Sequence, residues 1–539
     1  MEKSVRIICL FGLFAFLLAR PVDILTARAV ALCVFPQKTF STCISVSDYL
    51  YLSTFKQGGF ILSSADDAFP PILAYSEHAH VEEQHPAFRD YCAIYTRQIQ
   101  EHLSVNDPVH PDWNIYLKPS FQKTAIQAEV LPLLTTTWNQ SPHYNNKFPY
   151  FVTPTHTDEQ ALVGCVAVVM GQLMRYYEHP QRGIGRRWYY SNDTDSILSA
   201  WHDTTYYDWE NMPDSLSTRY GILTAPADQV EDVSHLLYQS AVSVDMELKP
   251  GASSASYDDM MYALVSYFDY SSDMVYDEAE NYGLLSEWIN VLKQELDGGY
   301  PIPYRGQGSG GHAFLCDGYR MTTDTHFHFN WGWGGSCDGW FLLTALNPLD
   351  DRDYTTLQGA IMGVRPNTDN ITRFAYTGFE GYQAGWIYDG FSFVGENGIN
   401  DMVHSGNYSY AFDALNQWLI SPKIHIPNDD NAELSFWAKM LHSGKQCKVL
   451  LSQTDTLRSS FTVDLGTISP HNQNWGEYTF NLRPYKNTDI YIGFEYLSNN
   501  GYITLDDFMM SMPKVEDAVV STQLENYALL QVYPNPFNP

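Results

Sequence analysis

The sequence predicts an α+β architecture that gives way to an all-β sandwich towards the C-terminus. Three observations predict it. Between about residues 130 and 350, stretches with helical spacing of apolar residues precede short strand-like runs bounded by Gly and Pro. From about 370 to 513 the chain holds only short strands divided by Gly, Asn, Pro and Asp turns, the pattern of a sandwich. At 539 residues it is also too long for a single hydrophobic core, so two to four domains are expected.

The composition is 45% hydrophobic and 15% aromatic, which fits folded domains and not disorder. A formal net charge of −31 argues against nucleic-acid binding, which needs a basic footprint. It equally disfavours docking on anionic lipid by charge.

The chain opens with Glu2, Lys3 and Arg6 ahead of an apolar run from Ile7 to Ala19. That pattern is a secretory signal peptide, cleaved after Ala19 or near Ala29, and too short for a membrane span. No later stretch reaches transmembrane length. Eight cysteines are sparse and form no CxxC pair, so neither a zinc ribbon nor a dense disulfide scaffold is expected. Cys316 and Cys337 flank one predicted hairpin without a pairing being assigned.

Next, Gly59–Asp67 reads as a strand ending in an Asp-rich turn, and Pro71–Ser76 as its partner. Pro86 to Leu103 has helical spacing. This is a small α+β unit with no constellation of catalytic groups. Val130 to Asn145 is an extended stretch closing in a polar turn, and it carries Gln140, whose amide can donate to an oxyanion. An ordinary loop glutamine is the plainer reading of Gln140 on spacing alone.

Cys165 follows Gly164 where helical spacing begins, with Val169, Met170, Leu173 and Tyr177 on one face. A cysteine there meets unpaired backbone N–H groups and the positive end of the helix dipole, which favour the thiolate. Taken alone, a Gly-Cys pair is more often a buried structural cysteine. Further helices are predicted at Asp228–Met246, with Asp228 as N-cap, at Tyr257–Asp269 and at Gly283–Leu296.

After the glycine-rich loop 306–311, His312 opens a short buried strand, and His326–Asn330 is the strand that follows. His326 and His328 share one strand face, but no third metal ligand is evident, and a plain strand face is the better reading. A helix-borne thiol, an imidazole on one strand and an orienting amide at Asn330 on the next form the papain-type arrangement. In that reading Trp331 shields the Asn330–His312 bond from water, and Gly332, Gly334 and Gly335 let backbone approach a substrate closely.

Four blocks in order then carry a family resemblance. They are Gly164–Ala167 with Met170, Gln172, Leu173, Met174 and Tyr176; Gly311–Phe314 with Asp317–Tyr319; Asn330–Gly335; and Ala345–Pro348. Over roughly residues 130 to 350 the chain closely resembles the streptopain family of secreted bacterial cysteine peptidases. The resemblance implies Cys165 as nucleophile, His312 as general base and acid, and Gln140 as oxyanion donor beside the Cys165 backbone N–H. Asn330 and Trp331 match the residues around the histidine, although the family is often described as a Cys–His dyad. Phe148 stands where many relatives carry a cysteine, and touches no catalytic role. Gly59–Asp67 with Leu73–Ser76 is similar to the family's inhibitory pro-domain, implying a zymogen cleaved near residues 120 to 130.

The last domain resembles cleaved-adhesin jelly rolls, which implies binding to a host protein, a glycan or a cell surface, sometimes with Ca²⁺. Glu380, Asp506 and Asp507 are weak Ca²⁺ candidates; acidic turn residues on a β surface are the safer reading. Residues 533–539 look like the start of a C-terminal secretion domain. The expected divisions are a signal peptide (1–19), an inhibitory pro-domain (20–126), a papain-like peptidase domain (127–366), a jelly-roll sandwich (367–514) and a linker entering a further β domain (515–539). The expected function is secreted cysteine endopeptidase, acting on protein or peptide substrates with no cofactor beyond that structural Ca²⁺. The alternative is an adhesin or binding protein with an inactive peptidase-like domain; an amidase or transglutaminase would use the same Cys–His chemistry.

Overall fold

Alternation along one strand divides the interior of the N-terminal two thirds into two cores. In His312–Met321, Ala313 and Leu315 face a helical core while Phe314 and Cys316 face the other way, into an aromatic one. The structure is a computed structural model. It describes residues 20–513 apart from 82–85, 103–107, 119–125, 153–158, 219, 250, 307–311, 345–357, 369–370, 380–385, 389–392, 396–401, 405–407, 441–443, 471–473 and 499–500. The signal peptide, most of the glycine loop before His312, Ala345–Pro348, Glu380 and residues 515–539 therefore lie outside the described residues.

The chain begins with helix α1 (Ile24–Val34), capped by the Asp23 carboxylate and packed through Val30 and Ala31 against Phe55 and Ile61. A cleavage near Ala29 would cut this helix. Strands β1 (Phe40–Ser47), β2 (Leu50–Phe55), β3 (Phe60–Ser64) and β4 (Ala74–Ser76) form an antiparallel meander, followed by α2 (Pro86–His102) and α3 (Pro111–Tyr116). β3 and β4 are the hairpin expected from Gly59–Ser76.

The next region holds β5 (Ala128–Val130), α4 (Cys165–Tyr177), the hairpin β6 (Arg186–Ser191) and β7 (Ser196–Trp201), and α5 (Ala227–Ser243). After these come β8 (Glu247–Lys249), β9 (Ala252–Ser254), α6 (Tyr257–Phe268), β10 (Val275–Glu278) and α7 (Leu285–Asp297). Then follow β11 (Ile302–Gly306), β12 (His312–Met321), β13 (Thr325–Asn330), β14 (Gly339–Leu342) and β15 (Gln358–Met362). Asp228 is not the cap of α5. Pro226 occupies that position, and its fixed φ of −60° leads into the helix with Asp228 inside the first turn.

One continuous sheet runs β1-β2-β3-β4-β14-β13-β12-β11-β15-β10, with β5 added beside β12. The N-terminal meander joins it where β4 pairs with β14, Tyr75 opposite Trp340 and Ala74 opposite Phe341. On one face α4, α5 and α6 pack around Trp138, Met170, Leu237 and Leu264. On the other face α2 and α7 pack with Phe60, Tyr95, Trp288, Phe329 and Phe341.

The C-terminal strands are β16 (Ile371–Thr377), β17 (Ile387–Tyr388), β18 (Phe393–Gly395), β19 (Tyr408–Phe412), β20 (Trp418–Ile420) and β21 (Ile424–Ile426). They continue with β22 (Glu433–Met440), β23 (Cys447–Ser452), β24 (Val463–Ile468), β25 (Gly476–Asn481), β26 (Thr488–Tyr496) and β27 (Ile503–Pro513). Two antiparallel sheets result, β18-β19-β27-β22-β25 with β16, and β17-β20-β26-β23-β24 with β21. Leu434, Phe436 and Ala438 from the first share a core with Val449, Leu451, Ile492 and Phe494 from the second. Among the described residues no helix is long and apolar enough to cross a membrane.

Candidate active site

Gly164 sets the direction of the whole site. Its φ of +89° is open to glycine, and a Cβ there would sit 2.7 Å from the Met246 sulfur. That turn starts α4 directly at Cys165, with no side-chain cap competing for the first N–H groups. Burial pushes the Cys165 thiol up. A hydrogen bond to His312, the charge of that ring, and the backbone N–H groups of Ala313 and Val166 outweigh burial, and the thiol is held below its ordinary value.

His312 stands half-buried at the start of β12, its Nε2 3.0 Å from the Trp331 carbonyl and 2.9 Å from the Trp333 indole Nε1. These two contacts demand opposite protonation of one atom. A proton on Nε2 donates to Trp331 O, whereas a lone pair there accepts from the Trp333 indole N–H. In the tautomer that donates to the Trp331 carbonyl, the free lone pair is on Nδ1 and can take the thiol proton. Trp331 itself is buried and held by its own N–H on Asp338 Oδ1 (2.9 Å) and its indole N–H on Cys337 O (3.0 Å).

Asn330 does not orient His312. Its Nδ2 donates to Thr136 O (2.7 Å) and more weakly to Gln172 Oε1 (3.4 Å), and its Oδ1 accepts from Gln172 Nε2 (3.3 Å) and Gly332 N (3.1 Å). All of this side chain is spent joining β13 to α4 and to the strand-like stretch before Gln140, so no donor or acceptor is left for the histidine. The expected amide is replaced by a backbone carbonyl one residue on. Trp331 consequently supplies an acceptor as well as a shield.

Gln140 is buried, and its carbonyl accepts from Val163 N (3.3 Å), two residues before Cys165. Its side-chain amide has no hydrogen-bond partner among the described residues. Gln172 and Trp333 are the residues the sequence reasoning left without a role. Gln172 Oε1 also accepts from Trp138 N (3.1 Å), so one buried amide ties the nucleophile helix to the strand end and to the approach to Gln140. Helical spacing would have revealed it: a glutamine at an inward position of an apolar helix has to be satisfied by something. Gly332 and Gly334 make close approaches to protein, to Val168 and Asn139, which is the physical demand for glycine there.

The remaining candidates fall elsewhere. His326 reaches the Ile72 carbonyl (3.3 Å), and His328 Nδ1 pairs with Asp317 Oδ1 (2.6 Å), so the two rings have separate partners. Asp506, fully buried, accepts from the His404 and Asp507 N–H groups, while Asp507 accepts from Tyr376 OH and pairs with His404 Nδ1. No group of three or more His, Cys, Asp or Glu side chains among the described residues is placed to hold a metal ion. Cys316 and Cys337 are not joined in a disulfide.

Residues 138–341 match the Peptidase C10 family. The chain is 30% identical over 336 residues to the thiol protease/hemagglutinin PrtT of Porphyromonas gingivalis, covering 58% of this chain and 36% of that protein. It thus spans about a third of that relative's length. It is 28% identical over 340 residues to streptopain of Streptococcus pyogenes, covering 59% of this chain and 81% of that one. A solved fragment of prointerpain A from Prevotella intermedia is 29% identical, with a TM-score of 0.49 over 61% of this chain and 98% of the fragment. The segment that carries Cys165 and His312 is the one these comparisons share, and over residues 138–341 it is a Peptidase C10 segment similar to the streptopain-like cysteine peptidases.

Proposed function

We propose that this chain is a secreted cysteine endopeptidase, made as a precursor in which residues 20–126 restrain the peptidase domain 127–366. The observation that carries the reading is Cys165 at a helix start with the His312 imidazole beside it, which hold the thiol below its ordinary value. His312 Nδ1 takes the thiol proton, and the thiolate attacks a peptide carbonyl. The oxyanion forms beside the Cys165 backbone N–H and the Gln140 amide. The tetrahedral intermediate collapses as His312 passes its proton to the leaving amine, giving an acyl-enzyme. A water then attacks, with His312 again the base. Trp331 O holds the imidazole in register through both halves.

The precursor reading is supported by how the N-terminal segment sits. The His80 carbonyl accepts from Cys337 N (3.0 Å), on the loop that carries Trp333. The chain leaving that segment enters β5, beside β12. The expected cleavage region lies partly in residues 119–125, outside the described residues. Residues 367–514 are read as a jelly-roll domain that positions the enzyme on a surface or ligand. In support, His404 stacks on Trp437 with ring centroids 4.0 Å apart, and Trp475 stands beside it at 5.4 Å.

Cys165→Ala tests the activity. It is expected to abolish casein cleavage and self-processing with unchanged circular dichroism, and full activity in that variant refutes the reading. Labelling of Cys165 by a thiol-directed epoxide separates a working peptidase from a binding protein with a retired site.

A further inference from the structure

Asn330 being committed elsewhere leaves a question: what fixes the Trp331 peptide that holds His312? The carboxyl group of Asp338 meets the Trp331 N–H at 2.9 Å, at the end of the tight loop that returns β13 to β14. Beside it lies a buried pair, His328 Nδ1 on Asp317 Oδ1 at 2.6 Å. Asp317 in turn accepts from the Leu134 N–H (3.1 Å) through Oδ2 and from the Leu133 N–H (2.8 Å) through its backbone carbonyl. Asp338, His328 and Leu134 border a cavity of about 430 Å³ that also touches Ser76–Ala79 of the N-terminal segment.

We propose that Asp338 is a positioning residue of the catalytic machinery: by accepting from the Trp331 N–H it fixes the carbonyl that holds His312 against Cys165. The inference rests on the Cys165–His312 reading above. Trp331 is gripped at its N–H, at its indole and, by His312 itself, at its carbonyl; of the two grips that do not involve the histidine, only the N–H bond ends on a side chain that substitution can remove. Acceptance, and not charge, is the working property. Burial pushes the Asp338 carboxyl up to about 7, against the Trp331 N–H and His328, which pull it down. A protonated carboxyl still offers its carbonyl oxygen to Trp331, so the grip survives on either side of that value.

Alkylation of Cys165 by iodoacetamide, followed in the full chain by peptide mass spectrometry, reads the arrangement directly. A thiol activated by imidazole reacts at about pH 6, whereas any exposed thiol is largely ionised by about pH 9. Asp338→Ala is expected to slow Cys165 alkylation roughly ten-fold at the lower pH and little at the higher. Asp338→Asn, whose oxygen still accepts, is expected to stay within about three-fold of the parent at both. A folded Asp338→Ala with the parent profile overturns the inference, as does a folded Asp338→Asn that loses the low-pH reaction; the asparagine variant decides alone where the alanine variant does not fold. Loss of equal size at both pH values in Asp338→Ala also overturns it, since that is general damage. The parent keeps the two readings apart: without low-pH reactivity there, the Cys165–His312 pair itself has failed.

Discussion

The side-chain amides of Gln172 and Asn330 face each other inside the peptidase region, Gln172 Nε2 lying 3.3 Å from Asn330 Oδ1 and Asn330 Nδ2 3.4 Å from Gln172 Oε1. This pair joins the nucleophile's helix to the strand leading to Trp331. It makes Asn330 a structural tie and gives the first prediction. Asn330→Ala leaves buried partners unsatisfied and is expected to cost about 1–3 kcal/mol of stability. Because Asn330 does not touch His312, the pH profile of kcat/KM should keep its parent shape, only lower. A displaced acid limb in that profile would mean the asparagine orients the imidazole after all.

Gly164→Ala forces a side chain into positive φ and against the Met246 sulfur. The backbone strain alone costs about 1–2 kcal/mol. The larger effect should be on chemistry, since the turn aims Cys165. Denaturant unfolding and Cys165 alkylation, measured together, are expected to show both losses. Adding Met246→Ala should relieve the contact but not the φ, giving partial recovery of stability only.

His202 is fully buried, stacked on Tyr267 at 4.9 Å, and among the described residues neither ring nitrogen makes a hydrogen bond of good geometry, Gln239 being its nearest polar influence. Burial pushes it down to about 3, against a smaller upward pull from Gln239. The unfolded chain binds a proton near pH 6.5 while the folded one does not. Its contribution is therefore complete above that pH and shrinks as pH falls towards 3, by about 2 kcal/mol between about pH 6.5 and 5. His202→Phe should flatten this part of the stability curve, read from urea midpoints across that range. Parallel curves for parent and variant would refute it.

Tyr95 lies in the N-terminal segment, and its buried hydroxyl donates to the carbonyl of Leu342 on β14 (2.5 Å) and lies 3.3 Å from that of Leu73. Tyr95→Phe removes this anchor, worth about 1 kcal/mol. In a precursor held by its N-terminal segment, that corresponds to self-processing faster by roughly five-fold. Timed gel analysis of the full chain, with Cys165→Ala as the unprocessed control, checks the direction. Slower or unchanged processing counts against restraint by this segment.

Much of this arrangement was legible in residue patterns because it rests on local rules. Helical spacing gave α4, α6 and α7 to within a few residues, and Gly164 before Cys165 marked a tight entry. Short apolar runs bounded by Gly, Asn, Pro and Asp turns marked β12, β13 and several of the later strands. What escaped detection depends on geometry between distant segments. No pattern distinguishes an asparagine that bonds a histidine from one that bonds Thr136 and Gln172, because both sit at a strand end. Nor does sequence show that the histidine's acceptor is a backbone carbonyl, which every residue has. The strands β1 and β2 and the hairpin β6–β7 also went unassigned, since their polar and aromatic residues alternate only weakly in hydropathy.

The pairing of β4 with β14 has a consequence for maturation. Departure of the N-terminal segment would take the β4 partners from Trp340 and Phe341, leaving them paired only with β13, and turn an interior strand into an open sheet border. It would also carry off Phe60, Phe88, Tyr91 and Tyr95, whose rings pack with Phe341 and Trp331 underneath the catalytic loop. Such a border is adhesive: it captures extended chain, whether a neighbouring molecule or a cleaved propeptide that refuses to leave. A nick between the two parts would on this account loosen the restraint long before it separated the fragments, and the active species would be a two-chain complex whose floor is still its own severed N-terminus.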